Sequence, residues 1–135
     1  MGLCLSLTSC ELEMSDNGKL DGFWMLRTVE TLNDGIATDV HEQLISWAFQ
    51  GRLMQAKSAL KLEEVLFSFD HRGDSLHLFN PYFSDREIDD VPVTQAADLH
   101  YVGIRNLNEG YKVLELNGST MRLQSDEVRL TFKKY

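Results

Sequence analysis

The feature that most constrains this chain is a series of short segments in which apolar and polar residues alternate, each cut off by turn-forming residues. Val128, Leu130 and Phe132 fall on one side of the last segment, and Arg129, Thr131 and Lys133 on the other. Such period-two alternation marks a half-buried strand, whereas a helix would scatter these residues around its axis. Residues 111–116, 120–123 and 127–133, separated by Asn117-Gly118-Ser119 and Gln124-Ser125-Asp126, therefore predict a three-strand meander. Upstream, residues 44–49 and 53–57 flank Gln50-Gly51 as a tight hairpin, and residues 65–69 and 75–79 flank residues 70–74 as a hairpin with a longer loop. Residues 22–32, rich in aromatic, Thr and Val side chains, form the first strand and end at Asn33-Asp34-Gly35, whose turn chemistry tolerates positive φ. One short helix interrupts the strands over residues 95–102. Thr94 is its expected cap, Leu99 and Val102 share its buried face, and Gly103 stands at the left-handed terminus.

A meander of about eight strands has two edges to protect, and closure into a barrel removes both without any extra element. The predicted fold is all-β, an antiparallel up-and-down barrel, with a β-sandwich as the alternative arrangement of the same hairpins. At 135 residues the chain fits one domain, long enough to fold on its own core.

The formal charge of −8, with acidic residues dense over 11–42 and 85–98, repels polyanions and argues against a nucleic-acid partner. Arg105, Lys112, Arg122, Arg129, Lys133 and Lys134 collect toward the C-terminus, but they alternate with apolar residues as the solvated face of strands does.

Leu7-Thr8-Ser9-Cys10 resembles the lipobox of bacterial lipoproteins, in which small residues precede a cysteine whose thiol accepts a diacylglyceryl group. The nine residues before Cys10 hold no Lys or Arg, so residues 1–10 read as a truncated signal region. Cys4 and Cys10 as tail thiols or a small disulfide is the other reading. Residues 11–19, polar apart from two apolar residues, form a tether spanning about 30 Å when extended. The domain proper is residues 20–135, and the expected location is the bacterial cell envelope, with a lipid anchor rather than a spanning segment.

Gly22-Phe23-Trp24 matches the Gly-x-Trp of lipocalins, and the closing residues 130–135 resemble the last strand of small lipocalin-like lipoproteins of Gram-negative bacteria. The resemblance implies a lipocalin-like barrel in which Trp24 packs across a closed end under a basic residue near the last strand, for which Arg129 is the candidate.

Reaction chemistry leaves little trace. His41, His71, His77 and His100 have no partner at metal-site spacing, and no nucleophile elbow or phosphate-cradling loop occurs. Asp85, Glu87, Asp89 and Asp90 cluster without the spacing of a calcium loop. The expectation is a non-enzymatic protein without cofactor or metal, binding a small apolar ligand. An envelope protein–protein interaction module with a filled core ranks second, and an unrecognised enzyme third. Trp24, Phe67, Phe69, Phe79, Tyr82 and Phe83 are the candidate ligand-binding residues, because strand ends bring several rings near one barrel mouth.

The lipobox reading has a direct check. Protein made with its full signal in a bacterial host is expected to partition to membrane through several acyl chains on Cys10, since one chain alone gives only marginal binding at about 0.8 kcal/mol per buried CH₂. Cys10→Ala is expected to be soluble or unprocessed, and an unacylated Cys10 by mass spectrometry would refute the reading.

Overall fold

The computed structural model describes residues 17–84 and 90–135. Cys4, Cys10, most of the tether and Asp85, Glu87 and Asp89 lie outside the described residues. The strands are β1 (Gly22–Thr31), β2 (Ile36–Asp39), β3 (Ile45–Gln50), β4 (Leu53–Ser58), β5 (Glu64–Arg72), β6 (Ser75–Ser84), β7 (Val91–Pro92), β8 (Glu109–Leu116), β9 (Thr120–Gln124) and β10 (Val128–Lys134). Eight of them close into an antiparallel barrel in the order β1-β3-β4-β5-β6-β8-β9-β10, with β10 pairing back onto β1. β2 pairs with β1 and β7 with β6, both off the ring. The closed barrel meets the expectation from the hairpin pattern.

Inward positions follow the alternation. In β10, Val128, Leu130 and Phe132 are buried between half-buried Arg129 and Thr131, as their period requires. The β3–β4 hairpin turns on Gly51 and Arg52, with Gln50 opposite Leu53. The β5–β6 loop is shorter than expected. Arg72 pairs with Ser75, so only Gly73 and Asp74 form the turn, and Asp70 and His71 belong to the ladder. β2 has no counterpart in the sequence reading. All four of its residues are exposed, so it carries no apolar alternation to betray it.

A bulge reshapes β6. Leu66 pairs with Tyr82 and Ser68 with Phe79, which leaves Asn80 and Pro81 opposite Phe67 alone. Asn80 takes φ 60°, a conformation asparagine tolerates better than most residues. The extra residue moves the inward phase from Leu76 and Leu78 to Pro81, so Tyr82 is turned out and left half buried, as Phe79 already is by alternation with Leu78.

The short helix is a 3₁₀ segment at Ala96–Val102, burying Leu99 and Val102 as expected. Gln95, not Thr94, is its N-cap, and no side chain caps it. Gly103 ends it at φ 86°, and a Cβ there would sit 2.9 Å from Leu26 Cδ2, so both conformation and space demand glycine. This segment overlies one end of the barrel, hereafter the helix end, together with the β1–β2 and β9–β10 turns.

The opposite end is built on Trp24. Its indole Nε1 donates to Leu20 O at 2.9 Å, and the ring is fully buried. Lys134 Nζ lies 4.5 Å from the ring centroid and donates to Asp21 O at 2.5 Å. Lys134 is thus the cation on Trp24, which corrects the choice of Arg129. In the β1–β10 register Trp24 faces Lys134, whereas Arg129 lies opposite Glu30, at the other end of the pairing. Arg129 Nη1 accordingly donates to Glu30 Oε1 at 2.8 Å. Gly22, at φ 122°, leaves the space for this arrangement, because a Cβ there would lie 2.7 Å from Lys134 Nζ. Both described ends of the chain meet here, where Tyr135 N donates to Phe23 O at 2.8 Å.

Trp24→Ala is expected to lower stability by about 3–5 kcal/mol, and Lys134→Ala by about 0.5–2 kcal/mol, as read from urea denaturation followed by far-ultraviolet circular dichroism. A wild-type midpoint for Trp24→Ala would place the indole outside the core.

Candidate functional site

Whether the barrel can enclose a ligand depends on Trp47. It sits on β3, and β8 lies four places away around the eight-strand ring, on the opposite wall. The Trp47 ring nevertheless approaches Tyr111 of β8 to 6.0 Å between centroids, and Phe132 of β10 to 4.7 Å. One indole therefore bridges the interior from wall to wall. Its Nε1 donates to Val102 O at 2.9 Å, tying it to the 3₁₀ segment above.

The predicted ligand-binding aromatics do not converge. Trp24 belongs to the far end, and Phe69 packs there edge-to-face on Phe49, with centroids 5.1 Å apart. Phe67 is fully buried within the core. Phe79 stacks on His77 with centroids 5.2 Å apart, and Tyr82 borders a different hollow with Asn80, Pro81, Asp90 and Pro92. Phe79 lies outward by alternation with Leu78, and the bulge at Asn80-Pro81 turns Tyr82 outward as well. Only Phe83 lines an opening at the helix end, a hollow of about 230 Å³ shared with Lys61, Glu63, Ala97, Asp98 and Tyr101. Tyr101 Oη donates to Glu63 O at 3.0 Å. Burial and the neighbouring Glu63 and Glu64 carboxylates push that phenol up to about 12.

A larger concavity lies at the same end and was not anticipated. β3 pairs with the first part of β1 and β2 with the second, so both occupy one edge of β1. Between them the chain leaves the sheet through a 3₁₀ turn at His41–Gln43, and Leu44 returns it at φ 54°. That left-handed leucine is held by Leu44 N donating to His41 O at 3.2 Å and by Ala59 N donating to Leu44 O at 3.1 Å. The outcome is a groove of about 360 Å³ lined by Val29, Thr31, Thr38, Val40, Gln43, Ile45, His100, Gly103 and Arg105. Val29, Val40 and Ile45 supply apolar wall, the threonines and Gln43 supply hydrogen-bonding groups, and Gly103 presents bare backbone. The sequence signal for this site was the turn-rich stretch between Leu32 and Leu44, whose break in alternation marks where the strand leaves the sheet.

Beside the groove, Arg105 leads into a polar cluster. Asn106 Nδ2 donates to Glu109 Oε1 and Oε2 at 3.2 and 3.1 Å and to Glu127 Oε2 at 3.1 Å. Glu109 is 6% exposed. Burial raises its pKa above the usual carboxylate range against the lowering effect of Asn106, and the charges of Glu127 and Asp126 add to the rise. The buried Tyr111 phenol is likewise pushed well up by burial and by Glu109 and Glu127. Among the described residues, no three His, Cys, Asp or Glu side chains gather as a metal site would require, and no helix is long and apolar enough to cross a membrane.

The family model of the lipocalin-like domain matches residues 3–135. Three solved structures share the fold. A lipocalin-like protein from Bacteroides uniformis is 22% identical, with a TM-score of 0.66 over 87% of this chain and 100% of its own. An uncharacterized protein from Bacteroides eggerthii is also 22% identical, with a TM-score of 0.64 over 86% of this chain and 99% of its own. A protein from Burkholderia xenovorans is 16% identical, with a TM-score of 0.59 over 90% and 89%. No curated protein matches the chain.

Because the pKa of Glu109 is raised on folding, its contribution to stability is present below the unfolded value and is lost as pH rises through the folded one. Glu109→Gln keeps an acceptor for Asn106 and removes the buried charge. It is expected to stabilise the protein by about 1 kcal/mol at neutral pH and by progressively less toward pH 4. Thermal unfolding across this range checks it. A variant less stable than wild type at neutral pH would contradict the electrostatic account.

Proposed function

This chain belongs to the lipocalin-like domain family, and on that premise we propose that it is a binding protein of the cell envelope, tethered through acylated Cys10. It takes a small ligand with apolar character at the helix end. The observation that carries this reading is Trp47 spanning the barrel. A ring in contact with Phe132 and with Tyr111 on the opposite wall occupies the axis along which a hollow barrel would receive its ligand. Among the described residues the rim groove is a concavity of adequate size, and its volume of about 360 Å³ lies at the lower end of the range for small-molecule sites. Apolar walls with a few placed polar groups are the usual composition of such sites. The role is binding rather than catalysis, and it requires no metal or cofactor.

A second reading, contact with another envelope protein, is favoured by Leu44, Leu60 and Leu62. They are 43%, 67% and 102% exposed on neighbouring loops at the helix end, joined by the Ala59–Leu44 hydrogen bond. Exposed apolar residues gathered on adjacent loops are a usual mark of a contact surface.

The two indole N–H groups make good reporters, Trp24 at one end and Trp47 at mid-barrel. Titration of the domain with a panel of small aromatic and aliphatic compounds is expected to shift the backbone amides of Val29, Thr38 and Gly103 in two-dimensional nuclear magnetic resonance spectra. The Trp47 indole signal, whose Nε1 donates to Val102 O beside the groove, is expected to move less than these amides. Trp47→Ala is expected to cost about 3–5 kcal/mol and to open an apolar cavity that takes indole. Ligand shifts centred on Trp47 in the wild type would place binding inside the barrel, and silence at the groove amides across the panel would remove the small-ligand reading in favour of the protein-contact one.

A further inference from the structure

The ionisable groups around the groove are not those of a typical surface patch on this molecule. The chain carries a net charge of −8, yet the nine residues lining the groove include no Asp or Glu and two basic residues, Arg105 and His100. Arg105 is 35% exposed at its side chain. Its nearest acidic neighbour is Glu127, with Nη1 and Oε1 separated by 4.0 Å, too long for a hydrogen bond. Glu127 is itself engaged elsewhere, since its Oε2 accepts from Asn106 Nδ2 at 3.1 Å. The guanidinium therefore keeps donors that no described residue takes up, at one end of a groove whose other walls are Val29, Val40 and Ile45.

We propose that the groove binds a small organic carboxylate, its carboxylate on Arg105 and its apolar body against Val29, Val40 and Ile45. The inference rests on reading the groove as the binding site and goes beyond that reading by naming the ligand's chemical class. A guanidinium offers parallel N–H donors at the spacing of the two carboxylate oxygens, so a carboxylate can form paired charge-assisted hydrogen bonds where Glu127 cannot reach. The absence of acidic lining within an acidic protein selects for an anion over a cation or a neutral molecule. Thr38 is placed to accept from or donate to polar substituents on the body of the acid, and Thr31, whose hydroxyl donates to Asp34, can accept.

Phenylacetate and phenylacetamide separate the two claims, because they share size and apolar body and differ in charge. Binding is followed through the amides of Thr38 and Gly103 on the full domain. The wild type is expected to bind phenylacetate about tenfold more tightly than phenylacetamide. Arg105→Gln is expected to abolish that preference by weakening phenylacetate about tenfold and phenylacetamide far less, with thermal stability unchanged. Glu127→Gln, which removes the competing charge beside Arg105, is expected to tighten phenylacetate severalfold. Equal affinity for acid and amide in the wild type, or a preference that survives Arg105→Gln, would overturn the carboxylate assignment and leave the groove as a site for neutral ligands. Failure of both compounds to shift the groove amides would overturn the groove itself and the carboxylate with it.

Discussion

The pairing of β1 with β10 turns a curled sheet into a barrel, and most other features of the molecule depend on it. Seven registered residue pairs join strands from opposite ends of the domain. Such closure removes both sheet edges, but it is entropically demanding because nearly the whole domain must be looped before the contact forms. The seam is reinforced at both of its ends by side chains. Arg129 and Glu30, 99 residues apart in sequence, form an ion pair near the helix end, and Lys134 rests on Trp24 at the other. Gly22, Trp24, Arg129 and Lys134 are thus parts of one device, each fixed by where the β1–β10 register places it.

Once the ring is closed, interior volume is set by which side chains point inward, and Trp47 decides the outcome. Eight-stranded barrels are narrow enough to be filled by their own side chains. Here a single indole meets aromatic rings on β8 and β10 and anchors the 3₁₀ segment through Val102. Filling the axis closes the interior with the barrel's own side chains and leaves the groove described above at the rim. The rim is free to vary because the β2–β3 line is broken at His41–Gln43, where backbone leaves the ladder and walls off a groove.

How much of this was legible in the sequence can be argued residue by residue. Alternation such as Val128-Arg129-Leu130-Thr131-Phe132 reports burial directly, so strands, hairpins, closure and the end of the helical turn at Gly103 were readable. The Gly-x-Trp pair located one end of the barrel. β2 was not readable, since Ile36, Ala37, Thr38 and Asp39 are all exposed and give burial no pattern to imprint. The shift of phase at Asn80-Pro81 was not readable either. A bulge is a count of residues against a partner strand, and one strand alone does not contain that count. The same limit explains the cation on Trp24, because Arg129 and Lys134 lie on one strand and only the register across the seam distinguishes them. The groove is assembled from three separate stretches of chain, residues 29–31, 38–45 and 100–105, and Arg105 owes its place in it to the turn at Gly103 rather than to any local motif.

The described ends of the chain meet beside Trp24, while the groove, the 3₁₀ segment and the exposed leucines of the connecting loops all lie at the other end. The molecule therefore has a stem and a crown. Anything that grips the chain at its first described residues holds it by the stem and turns the crown outward. The adjacency of the described ends also makes the domain almost circular in space. A short linker between Tyr135 and the first described residues would leave the ring of strands intact, and new ends opened in a crown loop would reverse which pole is presented.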